Sequence, residues 1–131
     1  MDKSSQTYGY ITTTPKLAFQ HYNILGAFNE FHCPKEFDTD VNAAVLAEVH
    51  GADSRSTISA AYVTVGTGVG VGLVTNGQPV HGVLHPEMGH YFPQRREGDT
   101  FEGVCPFHRH CLEGFVSAPA IAKRAGLSQA Q

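Results

Sequence analysis

The sequence predicts an α/β fold carrying a zinc-binding loop, and three observations predict it. Residues 41–49 (VNAAVLAEV) are alanine-rich, follow the capping residues Asp38, Thr39 and Asp40, and are closed by Gly51, which marks a helix. ISAAYVTV, GTGVG and VGLVTNGQPV then read as strand, glycine-rich turn and strand, with Asn76-Gly77 as a second turn. His90, Cys105, His108 and Cys111 follow in the spacing H-x14-C-x2-H-x2-C. Three ligands two residues apart, with a fourth reaching back across a loop, fit the tetrahedral shell of a closed zinc site.

From the N-terminus, residues 7–14 (TYGYITTT) are β-prone and predict an edge strand or extended loop ending at Pro15. Across residues 22–31, Ile24, Leu25, Phe28 and Phe31 recur at helical spacing, which predicts a short amphipathic helix. A turn at Pro34 and a short strand near Phe37 lead to the helix at 41–49. Residues 52–57 (ADSRST) are small and polar and mark a boundary between two lobes. The hairpin series follows, then the zinc loop. Residues 112–125 (LEGFVSAPAIAKRA) are helical in character but interrupted at Pro119, so two short helices are expected.

Residues 91–110 (YFPQRREGDTFEGVCPFHRH) carry two prolines, two glycines and little apolar periodicity, so they bury too little to fix their own shape. Zinc binding there would act as folding free energy. The alternative is a pair of buried thiols beside histidines on a solvated loop. His85 and His110 are spare ligand candidates; His110, next to Cys111, points away if the turn is tight. The three cysteines include Cys33 far upstream, so no disulfide framework is expected and a reducing cytosol is the natural compartment.

With 131 residues, 41% hydrophobic and 16% charged, the composition is that of a soluble globular protein of one modest domain. A net charge of -3 and the lack of a Lys/Arg-rich run argue against nucleic acid or an anionic membrane as partner. Met1 is followed by the polar DKSSQT, so no signal peptide is expected, and no apolar run approaches a membrane-spanning length. There is no internal repeat.

In GTGVGVG, Gly66, Gly68 and Gly70 remove side chains where backbone can approach a phosphate, and Thr67 adds a hydroxyl. The same run also reads as a tight hairpin at a packed corner. It lacks the Lys-Ser/Thr ending of a P-loop and leads into a strand, so neither Walker A nor a dinucleotide fingerprint applies. Asp40 at the mouth of a helix is either a cap or a carboxylate placed to take a hydroxyl proton. Glu87, three residues before His90, and Glu113, two after Cys111, are either solvated glutamates or carboxylates held by the metal loop against sugar hydroxyls.

Four blocks together resemble the ROK family (repressor, open reading frame, kinase), and within it the bacterial-type, zinc-containing fructokinases. They are SSQTYGYITTTPK, then DTDVNAAVLAE, then VTVGTGVGVGLVTNG, and finally HPEMGH with CPFHRHCLEG and SAPAI. The resemblance spans nearly the whole chain. It implies an actin-like, ribonuclease-H-like ATPase fold and Mg-ATP-dependent phosphorylation of fructose at the 6-hydroxyl, with a homodimer in the intact family.

By the same resemblance Asp40 falls on the catalytic base, flanked by Thr39 and Asn42. Gly66, Thr67 and Gly68 fall on the second phosphate loop. Glu87 and His90 fall on an E-x-G-H motif that contacts sugar and, through the histidine, zinc. Glu113 matches a further sugar-contacting glutamate, Thr39 stands among the substrate-binding positions, and Cys105, His108 and Cys111 complete the zinc set. His108, where other branches have cysteine, is a fructokinase-like trait.

The family's opening D-x-G-G-T-K phosphate loop and its C-terminal adenosine motif have no counterpart here. The expected organisation is therefore an incomplete fold: residues 1–56 as the end of the N-terminal lobe and 57–131 as the first part of the C-terminal lobe, with the zinc loop. In the intact architecture, lobe closure across residues 52–57 would exclude water. The alternative function is a non-catalytic ROK-like sugar-sensing or zinc-stabilised interaction module.

Overall fold

The computed structural model describes residues 2–14, 16–51, 58–82 and 84–128. The chain forms two compact units, Met1–Thr39 with His81–His85, and Asp40–Val80 with Pro86–Gln131. The boundary expected at residues 52–57 lies outside the described residues.

In the first unit, β1 (Tyr10–Ile11) and β2 (Tyr22–Asn23) pair antiparallel, Tyr10 opposite Asn23 and Ile11 opposite Tyr22. Only these two residues of the β-prone 7–14 run are paired. The helix expected over 22–31 does not form: β2 is followed by a single 3-10 turn, Gly26–Phe28. The cause is competition for donors. The N–H groups of Ile24 and Leu25 donate to the carbonyl of Gly9 (2.9 and 3.2 Å), and that of Gly26 donates to the Asn23 side chain (2.7 Å). Of these, the Leu25 and Gly26 donors are ones that a helix begun at Tyr22 would need for i to i−4 bonds. Residues 34–39 carry no regular element, so the strand expected near Phe37 is absent; Phe37 packs edge-on against Tyr8 at 6.5 Å. His81 Nε2 and Asp38 Oδ2 pair at 2.8 Å, and Lys3 and Glu36 at 2.7 Å.

The second unit holds α1 (Asp40–His50), an antiparallel hairpin of β3 (Ser59–Val65) and β4 (Val69–Thr75), and β5 (Gln78–Pro79) on the far side of β4. The register sets Val65 opposite Val69 and Ser59 opposite Thr75, and Asn76-Gly77 makes the left-handed turn into β5. Val41, Val45 and Val49, one helical face at four-residue spacing, are buried. Val45 and Val49 pack with Val74, Leu46 and Ala60. Full burial of a valine contributes roughly 1.5–3 kcal/mol, so this small cluster secures α1 on the hairpin. Gly72 permits the close approach, because a Cβ there would overlap the Val41 carbonyl.

Two short helices end the unit, α2 (Leu112–Val116) and α3 (Ala118–Arg124). The break falls at Ser117, in extended backbone (ψ 160°), and Pro119 sits in the first turn of α3, where its missing N–H costs no intrahelical bond. Arg124 fixes α3 by a two-pronged pair with Asp99 (2.8 and 3.2 Å) and by lying 4.2 Å over the Phe101 ring. No helix among the described residues is long and apolar enough to cross a membrane.

Candidate metal centre and adjoining cleft

The 3-10 turn Met88–His90 follows Glu87, whose φ of 51° is left-handed, and delivers His90. Cys105 and Arg109 close a tight loop on each other: the Arg109 N–H donates to the Cys105 carbonyl (2.9 Å), and Arg109 turns left-handed at φ 53°. His108 sits within that loop, and Cys111 stands at the N-terminus of α2. His90, Cys105, His108 and Cys111 thus converge, with all four ligand atoms within 4.8 Å of one another. His90 Nδ1 is 3.5 Å from Cys111 Sγ and 3.8 Å from Cys105 Sγ, and His108 Nδ1 is 4.0 Å from Cys105 Sγ. A tetrahedron with bonds of about 2.0 Å to nitrogen and 2.3 Å to sulfur has edges of roughly 3.3–3.8 Å; the two separations from His90 fall in that range, and the four atoms are close enough together to hold a metal ion.

Both sulfurs are buried while His108 is exposed. Burial pushes the Cys111 thiol above the ordinary thiol range, and the neighbouring Cys105 adds to the rise. A divalent cation would reverse that preference by replacing the proton. His110 is not in the group and rests against Phe92 at 5.1 Å; His85 belongs to the other unit. Cys33 is exposed, also in the first unit.

Beside this cluster the second unit opens a cleft of about 370 Å³, lined by Asp40, Thr64, Gly66, Thr67, Gly68, Glu113 and their neighbours. Asp40 comes from the start of α1, the glycines and Thr67 from the β3–β4 turn, and Glu113 from α2. Asp40 is exposed, and its Oδ1 accepts from the Val41 N–H at 2.9 Å, so the carboxylate is fastened to its own helix start while it faces the cleft. Glu113 Oε2 accepts from the Val69 N–H at 3.0 Å. Glu87 is exposed, and Thr39, in the first unit, donates its N–H to Asp38 Oδ1 at 2.7 Å. Thr64 lies in the VTVGTG block, but the sequence assigned it no role. Its signal lies in the hairpin register, which sets it opposite Gly70 and lets its hydroxyl accept the Gly70 N–H (3.3 Å).

The sequence pattern that defines the ROK family matches residues 4–131. A fructokinase of Zymomonas mobilis subsp. mobilis is 49% identical over 128 residues, which cover 96% of this chain and 42% of that protein. A fructokinase of Lactococcus lactis subsp. cremoris is 42% identical over 129 residues, 97% of this chain and 43% of that one. Among solved structures, a ROK hexokinase from Thermus thermophilus superposes with a TM-score of 0.67 at 29% identity, covering 82% of this chain and 36% of that one. The chain therefore spans less than half the length of these curated relatives.

Proposed function

Since this chain belongs to the ROK family and carries part of its actin-like, ribonuclease-H-like fold, we propose that it contributes the catalytic base, a phosphate loop and a zinc-ordered sugar site to ATP-dependent phosphorylation of fructose at the 6-hydroxyl. The observation that carries this reading is the common cleft of Asp40, Gly66, Thr67, Gly68 and Glu113. A carboxylate and a glycine-rich turn lining a single cleft are what transfer from a polyphosphate to a sugar hydroxyl requires: a proton acceptor and backbone N–H donors around one space.

In this reading Asp40 accepts the proton of the 6-hydroxyl as its oxygen attacks the γ-phosphate of Mg-ATP. The Thr67 and Gly68 N–H groups and the Thr67 hydroxyl hold phosphate oxygens and oppose the charge that develops on them, while the Gly66 N–H, bonded to the Gly68 carbonyl at 2.9 Å, shapes the turn. Glu87, His90 and Glu113 orient the sugar, so the attacking oxygen is held in line. Zinc, held by His90, Cys105, His108 and Cys111, would supply a structural cross-link, since four protein ligands leave no open position for chemistry. Residues 1–56 then represent the end of the first kinase lobe and 57–131 the start of the second.

The test is fructose- and Mg²⁺-dependent ADP formation, measured on the chain itself and on a version completed with the family's remaining lobe segments. In the completed protein Asp40→Asn should lower turnover by at least ~10²-fold while leaving thermal stability unchanged. Turnover retained together with lost stability would establish Asp40 as a helix cap and remove it from the chemistry.

A further inference from the structure

Val69, the first residue of β4 after the glycine-rich turn, is buried and gripped from two sides. Its N–H donates to Glu113 Oε2 at 3.0 Å, in the first turn of α2. Its carbonyl oxygen lies against Gly89, so closely that a Cβ on that glycine would overlap it. Gly89 precedes the ligand His90, and Glu113 comes two residues after the ligand Cys111. Those two ligand atoms stand 3.5 Å apart. The two segments are also joined directly, Leu112 N–H to the Tyr91 carbonyl at 2.9 Å, and α3 holds the other side of the turn, Ala118 N–H to the Gly66 carbonyl at 2.7 Å.

We propose that the two metal-ligand segments form a clamp on Val69 that sets the position of the Gly66–Gly68 turn, with the Glu113 carboxylate as its positioning group. His90 and Cys111, whose ligand atoms stand 3.5 Å apart, would hold the two jaws at a fixed separation when a metal is bound. The Gly89 backbone then bounds the Val69 carbonyl while Glu113 holds its N–H. A flexible glycine turn loses much freedom on being ordered, and two fixed contacts at its exit meet that cost before any ligand arrives. Glu113 thereby has a task besides the sugar contact, and the metal centre acts on the loop as well as on the sugar side. The loop's use for phosphate rests on the kinase reading above; the clamp rests on the contacts around Val69 alone.

Amide hydrogen exchange on the full chain loaded with one equivalent of Zn²⁺ tests this. Stripping the metal with a chelator should speed exchange at Val69 and at the hydrogen-bonded Gly66 and Gly70 amides by about tenfold or more, the ratio that corresponds to losing one charge-assisted hydrogen bond. The far end of the hairpin, near Ser59 and Thr75, should change little. Glu113→Ala, with zinc still bound, should speed the same amides to a similar degree, and chelation should add little more because the two changes act on one contact. Glu113→Gln, whose amide oxygen still accepts, should remain near the wild type. If chelation opens the whole hairpin, the zinc-bound Glu113→Ala protein decides: local loss at Val69 supports the clamp, and unchanged exchange overturns it. A chain that binds no zinc, a turn indifferent to metal, or equal damage from Gln and Ala also overturns it. An intact clamp in a protein that phosphorylates nothing would count against the kinase reading only.

Discussion

At the scale of single residues, the grouping of His90, Cys105, His108 and Cys111 was legible because it is written in short spacings: Cys105, His108 and Cys111 lie within seven residues, and only His90 is remote. The bond from Glu113 to Val69 was not legible, since it joins a side chain to a backbone N–H 44 positions away and no residue type announces it. Cys105→Ala should lose bound zinc as measured by elemental analysis, and stoichiometric zinc in a protein lacking both Cys105 and Cys111 would sink the ligand assignment. A second expectation concerns acid. Hydrogen bonds from the Arg124 guanidinium, and then from the Phe101 N–H, hold the Asp99 carboxyl at about 2, below its ordinary 3.8. Because the folded-state value is depressed, the stabilisation is fully present above the ordinary value and is lost as the pH falls through about 2. The difference in melting temperature between wild type and Asp99→Asn should therefore be constant from neutral pH down to roughly 5 and shrink toward zero between about 4 and 2. Taking the difference cancels the acid release of metal common to both proteins.

Among the elements, those that formed as expected are those whose signals are local. The helix of residues 41–49 has caps, alanines and a closing glycine, and the hairpin has β-branched alternation with small-residue turns, so chain neighbours alone specify them. Residues 22–31 show the limit of periodicity. Their apolar spacing is helical, yet the Gly9 carbonyl, distant in sequence, takes the Leu25 N–H that a helix would need. The split between α2 and α3 was foreseen but displaced, because proline breaks a helix before itself and is accepted within the next first turn. Gly72 belongs to this scale, since it sets how closely α1 lies on β4. Gly72→Ala should destabilise the second unit by about 1–3 kcal/mol or more in a urea titration, as the overlap is with the Val41 backbone, which cannot rotate away. A loss below ~0.5 kcal/mol would show that α1 shifts freely on the sheet.

For the molecule as a whole, the open flank of the sheet sets its behaviour in solution. Among the described residues β3 is an edge strand of seven residues, and Tyr62, Val63 and Val65 on it are exposed. Unpaired N–H and C=O groups beside exposed β-branched side chains form a template for another strand, and nothing on this edge provides the proline or inward charge that usually blunts one. The chain also spans only 42% of the Zymomonas fructokinase it matches, so much of what surrounds the corresponding region in that protein has no equivalent in these 131 residues. The purified chain should accordingly gain apparent mass with concentration in light scattering, and its fructokinase turnover should be weak or absent. Val63→Lys should lower the association without lowering zinc content, because the side chain is about half exposed and lies away from the ligand cluster in sequence. A monomer at every concentration, turning over at ordinary kinase rates of ~1–100 s⁻¹, would mean that the exposed edge is harmless and that the cleft is complete as it stands.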